Sequence, residues 1–421
     1  MKLHIENFAK IGTADIRFDG LTVIAGQNNT GKSTLGKVLY SFFRGQSNIE
    51  RRVKNERIKA IRDAFRKVAY DEVSERLCVD ILDGIRSPRS VLAELLAEGN
   101  VANDLGDSSG EDIPAMTLPP NVEETLAAKI EEQVERARTM PFKQVSWIIF
   151  RRVLDCVFHG QYHPLNTMVS PAKICLEVKG ERNEISLFYD HAEWSRPTKL
   201  FATARLISTP DAIGLLNVRD LEHNAKYANV LDKDSYELAC TLATGWGQTP
   251  VIAEAARGDD VRETMAGLND AIGGDLMRDA DGAFGIRETG NSEMTRVENL
   301  SMGMKSLALL RLMVTEGALS RQDVLILDEP EVHLHPAWQL AYAHCIVRMQ
   351  KLYGLTVMVT THSPYFLKAL ETYSGKEGTA GKAAFYFSHL DETKSRCLFD
   401  DCTGDLNGVF KSLYEPFAEL M

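Results

Sequence analysis

A short β-branched, apolar run, Thr22-Val23-Ile24-Ala25, leads into Gly26-Gln27-Asn28-Asn29-Thr30-Gly31-Lys32-Ser33-Thr34, which fits the phosphate-loop pattern GxxxxGK[ST] at every fixed position. The pattern has meaning only between a buried strand and a helix, and both flanks supply this. Leu35, Val38, Leu39 and Phe42 recur at i, i+3, i+4 and i+7, so Thr34 to Arg44 reads as a helix with one buried face and Gly45 as its stop. Gly26 permits a sharp turn, and the amides from Asn28 to Lys32 can curl around a phosphate group. The helix then points its positive end at that group. The candidate nucleotide-binding residues are Gly26, Asn28, Asn29, Thr30, Gly31, Lys32, Ser33 and Thr34, with Lys32 reaching the β- and γ-phosphates of ATP and the Ser33 hydroxyl ligating Mg²⁺.

Three distant segments make sense if that loop holds ATP. Val324-Leu325-Ile326-Leu327-Asp328-Glu329 is an apolar strand ending in two acids, and Pro330 turns the chain away. Asp328 is placed to hold Mg²⁺ opposite Ser33, and Glu329 to polarise an attacking water. Val357-Met358-Val359-Thr360-Thr361-His362-Ser363-Pro364 is a second buried strand, whose terminal His362 could contact the γ-phosphate or orient the water. Leu300-Ser301-Met302-Gly303-Met304-Lys305-Ser306 precedes a helix read over Leu307 to Thr315, with Ser301 as its N-cap and Gly303 allowing close backbone approach.

Between these segments the character of the chain changes. Residues 46–170 are charged and helical in pattern, with helices over Val122–Arg138 and Phe142–Phe158 and a Gly-, Asp-, Ser- and Pro-rich loop over Gly99–Pro120. Strands follow at Ile174–Val178 and Glu184–Tyr189, with Lys179 to Asn183 as the turn, then near Leu200–Ile207; helical pattern covers 211–272, and a second hairpin 276–298. The reading is one α/β nucleotide-binding domain, residues 1–45 and 171–421, interrupted by a helical insertion, 46–170.

Order and spacing of these motifs are similar to those of the ABC-type ATPase superfamily. The form Asp328-Glu329-Pro330-Glu331-Val332-His333-Leu334-His335-Pro336, with Gln27-Asn28-Asn29 and Thr361-His362-Ser363-Pro364, departs from the transporter version. It resembles the branch of SMC and RecF proteins and most resembles the OLD (overcoming lysogenisation defect) ATPases of bacterial defence. The resemblance covers 1–45 and 171–421. It implies a P-loop NTPase of the ABC-ATPase type, α/β with an antiparallel β subdomain and a helical insertion. It implies Glu329 as general base, His362 as switch histidine, and Ser301 with Gly303 facing the ATP of a second subunit in a head-to-tail homodimer or higher oligomer. It implies ATP-driven closure that controls an effector. Full-length OLD nucleases carry a TOPRIM domain after the ATPase; about sixty residues follow His362, so the expectation is a separate nuclease or toxin, with Asp400, Asp401 and Asp405 a solvated loop. A glutamine expected to link metal and helical part is absent from its candidate position at Thr209-Pro210. His333 and His335 suggest zinc with His362, but the family motif already accounts for them.

Charge and cysteines narrow the setting. A net charge of -11 opposes nucleic acid coating the whole surface, though Arg51 to Lys67 holds eight Lys and Arg against Glu56 and Asp63 and could form a local DNA or RNA contact. Cys78, Cys156, Cys175, Cys240, Cys345, Cys397 and Cys402 show no CxxC pair and read as reduced thiols of a cytoplasmic protein. The N-terminus lacks signal-peptide architecture, and no apolar run approaches the ~20 residues of a membrane span. The competing readings are a RecF- or SMC-type DNA-maintenance ATPase and, against the Glu331–Pro336 form, the energy-coupling subunit of a membrane transporter.

Overall fold

A computed structural model describes residues 1–66, 73–97, 120–163, 171–188, 191–195, 200, 202–218, 224, 230–245, 251–316, 318–320 and 322–418. The predicted loop up to residue 119 and the last residue of the basic run, Lys67, lie outside the described residues. In chain order the elements are β1 (Lys2–Phe8), β2 (Ile11–Arg17), β3 (Leu21–Gly26), α1 (Lys32–Gln46), α2 (Ile49–Phe65), α3 (Glu75–Leu82), α4 (Pro88–Ala97), α5 (Pro120–Thr139) and α6 (Phe142–Phe158). Then come β4 (Ala172–Val178), β5 (Glu181–Leu187), β6 (Ala192–Trp194), β7 (Ala204–Ile207), α7 (Asp211–Gly214), α8 (Val230–Gly245), α9 (Val251–Ile272), β8 (Gly274–Arg278), β9 (Phe284–Glu288) and β10 (Thr295–Arg296). The last part holds α10 (Met302–Thr315), β11 (Val324–Asp328), α11 (Pro336–Tyr353), β12 (Thr356–Thr361), α12 (Pro364–Lys376), β13 (Ala383–Leu390), β14 (Cys397–Asp401) and α13 (Asn407–Ala418).

The chain divides into two units, residues 1–47 with 150–421, and residues 48–149. In the first, one sheet runs β6-β5-β4-β1-β2-β14-β13-β3-β12-β11-β7, and a separate sheet runs β10-β9-β8. The large sheet is parallel from β13 through β7 and antiparallel from β2 through β6. The parallel half is apolar on both faces, as helix-covered strands must be: every residue of β3 is buried, and β11 is buried up to Asp328. Its core joins Val23, Leu325, Leu327, Val357 and Val359 to Leu307 and Leu310 of α10, Ile346 of α11 and Phe366 of α12. The second unit is helical, with Ile61, Phe65, Cys78, Ile81, Val91, Ile130 and Val134 closing its core.

Several local expectations need correction. Gly45 does not stop α1, which runs on to Gln46 and ends at Ser47. A Cβ on Gly45 would lie 2.4 Å from the Phe150 ring, so the glycine serves close packing. The β4–β5 turn is Lys179-Gly180 alone, both with positive φ (51° and 81°) as a tight hairpin requires. Asn183 is drawn into the strand because its buried amide pairs with Gln46 and accepts from Trp194 Nε1 at 2.8 Å. α10 begins at Met302, since Ser301 caps it directly. Asp400 and Asp401 lie on β14, between β2 and β13, and Asp400 bonds His389 at 2.9 Å. The sequence boundary of the insertion at residue 170 also differs from the unit boundary at 149: Phe150 packs on Phe42 and Trp194, with ring centroids 5.4 and 5.6 Å away. No described helix is long and apolar enough to cross a membrane.

Candidate functional site

The phosphate loop hangs from the end of β3, in the middle of the parallel half. Asn29 (φ 62°) and Gly31 (φ 82°) take left-handed conformations, which curl successive amides toward one side. Neighbouring strands brace the loop. The Ser388 hydroxyl on β13 stands 2.6 Å from that of Thr30 and 3.2 Å from the Ala25 carbonyl, and Thr30 Oγ1 donates to Gln27 O at 2.7 Å. A Cβ on Gly26 would meet Ser388 O at 2.3 Å, so no side chain fits there. Gln27, Asn28 and Asn29 form the exposed crest of the loop, whereas Thr30 and Lys32 are buried and Ser33 and Thr34 half-buried. Lys32 Nζ donates to Gly26 O at 3.0 Å and Gln27 O at 2.7 Å, arching under the crest.

β11 and β12 bring the remaining groups to that loop. β12 pairs in parallel with both β3 and β11, so all three strands end on the same edge. Ser33 Oγ donates to Asp328 Oδ1 at 3.0 Å, and Thr360 Oγ1 donates to the same oxygen at 2.6 Å. Lys32 Nζ pairs with Glu329 Oε1 at 3.6 Å, and His362 Nδ1 lies 3.5 Å from Glu329 Oε2. Glu329 has φ 49°, costly for a non-glycine residue, and is held by its N–H, which donates to Thr360 Oγ1 at 2.9 Å. Segments hundreds of residues apart in sequence thus meet in one cluster of a cation, two carboxylates, hydroxyls and an imidazole. Burial pushes the Lys32 ammonium below its usual range, against the pull of Glu329 and Asp328. Burial likewise pushes Glu331 above the usual carboxylate range.

The donor chemistry fits a magnesium-bound nucleoside triphosphate. The Ser33 hydroxyl and Asp328 carboxylate are a close pair of hard oxygens of the kind Mg²⁺ takes while keeping waters and phosphate oxygens. The left-handed residues and the glycine at 31 leave the loop amides open to phosphate. A cleft of about 270 Å³ opens beside Ser33, Asp328 and Glu329, and Ser208, Thr209, Met302, Ser306, Val332 and His333 share its wall. Ser208 and Thr209, at the end of β7, thus occupy the side of the cleft where a glutamine was expected.

Ser301 and Gly303 are not drawn into the cluster. Ser301 is exposed and caps α10 by accepting from Met304 N at 3.3 Å. Gly303 is buried, and a Cβ there would lie 2.5 Å from the His333 carbonyl, so its small size is already needed within this chain. His335 caps α11 through Nδ1, and no cluster of three metal-ligating side chains occurs among the described residues. Sequence reasoning passed over Thr360, Thr361, Glu331, Ser388 and Lys10, whose Nζ donates to Asn29 O at 3.2 Å. Two adjacent hydroxyls closing an apolar strand were a readable signal at Thr360-Thr361; Ser388 carried none.

Two family models match the chain. One, described as "AAA domain, putative AbiEii toxin, Type IV TA system", covers residues 195–368; the other, "AAA ATPase domain", covers residues 1–81. Between them they span the phosphate loop, Asp328, Glu329 and His362. Similar solved structures include an Smc head bound to the C-winged helix domain of ScpA (13% identity, 97% of this chain and 98% of that chain, TM-score 0.42). They also include the SMC head domain from Thermotoga maritima (14%, 95% and 97%, TM-score 0.36). A third is the Smc head with an extended coiled coil bound to the C-terminal domain of ScpA, derived from Pyrococcus furiosus (12%, 99% and 98%, TM-score 0.39). No curated protein matches the chain. The two matched AAA models, together with a strand–loop–helix joined to the ends of β11 and β12, identify an ATPase with AAA-type domains, a P-loop protein of mixed α/β fold whose large sheet has an antiparallel half and whose second unit is helical.

Proposed function

We propose that this ATPase closes into a homodimer on binding ATP and Mg²⁺, reopens on hydrolysis, and through that cycle controls a separate effector, a nuclease or toxin, in bacterial defence of the OLD type. The carrying observation is the Lys32–Glu329–His362 contact beside the Ser33–Asp328 pair. Lys32 and the loop amides bind and orient the phosphates. Ser33 and Asp328 hold the metal ion, which when bound neutralises phosphate charge. Glu329 takes the proton from the attacking water, and His362 steadies Glu329 and senses the γ-phosphate. Ser301, exposed at the start of α10, is free to face the nucleotide of a partner subunit. Val332 and Tyr365 flank Glu329 and His362 in sequence and remain 49% and 42% exposed, a suitable apolar rim for a second copy. The defence setting draws support from the toxin–antitoxin description of the family matching 195–368.

Two substitutions test the reading. Lys32→Ala should abolish ATP binding by equilibrium titration. Glu329→Gln should bind ATP, lose hydrolysis by about a hundredfold or more, and migrate as an ATP-dependent dimer. Native turnover by Glu329→Gln removes the base assignment, and a monomer at saturating ATP removes the dimer cycle.

A DNA-maintenance role has one observation in its favour. On α2, Arg51, Lys54 and Lys59 are exposed, followed by exposed Arg66. Nucleic-acid binding there would weaken steeply with salt, and reversing Arg51 and Lys59 to Glu would remove it; no affinity at low salt excludes it.

A further inference from the structure

Glu331 is 2% exposed, and its carboxyl bridges two segments of the site. Oε1 accepts from the Thr361 hydroxyl and from the His362 N–H at 3.3 Å. The Thr361 hydroxyl in turn accepts from Ser363 N at 3.0 Å. One buried oxygen therefore holds the Thr361 hydroxyl and the His362 N–H directly, and the Ser363 N–H through that hydroxyl. The other oxygen, Oε2, is buried without a hydrogen-bond partner. His362 Nδ1 lies 3.5 Å from Glu329 Oε2 and 4.0 Å from Glu331 Oε1, so its ring is poised between an accessible carboxylate and a buried one. Glu331 itself lies two residues beyond Glu329, across the Pro330 turn.

We propose that Glu331 is a positioning residue for hydrolysis: it ties the Thr361–Ser363 turn to the turn after β11 and so fixes the His362 ring against Glu329. The inference rests on the hydrolytic roles given to Glu329 and His362. The useful feature of Glu331 is the Oε1 acceptor. A glutamine keeps that acceptor and its volume, while an alanine orphans the buried Thr361 hydroxyl and the partly buried His362 N–H and lets the His362 turn drift. Displacing a reacting group by about 1 Å can cost about a hundredfold in rate. Among the described residues no hydrogen bond joins Glu331 to Lys32 or the phosphate loop, so ATP affinity is expected to change little.

The test measures steady-state ATP hydrolysis and ATP affinity for Glu331→Ala, Glu331→Gln and Thr361→Val, with Glu329→Gln in parallel. Expected are a fall in kcat of about ten- to a hundredfold for Glu331→Ala with ATP affinity within about threefold, recovery of most of that loss in Glu331→Gln, and an intermediate kcat for Thr361→Val. A folded Glu331→Ala with native kcat overturns the proposal, as does a Glu331→Gln that loses as much as the alanine. If Glu331→Ala does not fold, native kcat in Thr361→Val overturns it and reduced kcat with intact ATP binding supports it. Native turnover in Glu329→Gln would remove the base assignment alone, because the Glu331 variants report separately on how His362 is held.

Discussion

At the scale of single residues, backbone conformation decides more than side-chain type. Gly26 approaches the Ser388 carbonyl so closely that a Cβ would sit 2.3 Å away, and the obstacle is backbone of a central strand. Gly26→Ala should therefore displace the loop, costing about 1–3 kcal/mol and most ATP affinity, readable by thermal unfolding and nucleotide titration. Glu329 pays for its left-handed φ with hydrogen bonds from its amide to Thr360, which place its carboxylate toward Lys32 and His362. Thr360→Val leaves the Glu329 amide only its 3.2 Å bond to the Thr360 carbonyl and also strips Asp328 of a 2.6 Å donor. The expected outcome is a drop in kcat of about tenfold or more at unchanged expression, measured as ATP turnover.

At the scale of elements, packing overrides local propensity. α1 continues through Gly45 because its far end packs on Phe150, leaving 2.4 Å where a methyl would go. Alanine there gains about 1 kcal/mol of helix propensity but overpacks a buried ring at about 1–3 kcal/mol, so Gly45→Ala should lower the unfolding midpoint. The β1–β2 pair holds a pH-sensitive contact. His4 faces Asp15 across the strands, with Nδ1 2.6 Å from Asp15 and Nε2 3.0 Å from Glu6. Partial burial pushes its pKa down, but the two carboxylates outweigh this and hold it above 6.5. A raised folded-state pKa gives stability that is fully present below about 6.5 and fades as pH rises through the folded value. His4→Gln should thus flatten the dependence of stability on pH above about 6.5, followed by denaturant titrations, and leave ATP hydrolysis alone.

At the scale of the whole molecule, the proposed ATP-dependent dimer would set exposed Val332 and Tyr365 against a second copy. Val332→Asp in a Glu329→Gln background should abolish ATP-dependent dimerisation by light scattering while ATP still binds; dimers that persist would move the interface elsewhere. What the sequence determined was the chemistry within continuous segments: the phosphate loop, the Asp328-Glu329 and His362 strand ends, the Ser301 cap and the long helices over 122–138 and 142–158. Those signals lie within a few residues of each other, where spacing alone reports geometry. Tertiary structure alone decided the rest. Gly45 continues a helix, Asn183 enters a strand, and Ser388 braces a loop more than 350 residues earlier because each answers a partner far along the chain. Glu331 belongs with them: its burial, and its grip on Thr361 and His362, exist only once β11 and β12 lie side by side in register, since hydrogen-bond satisfaction inside a core is a property of neighbours in space.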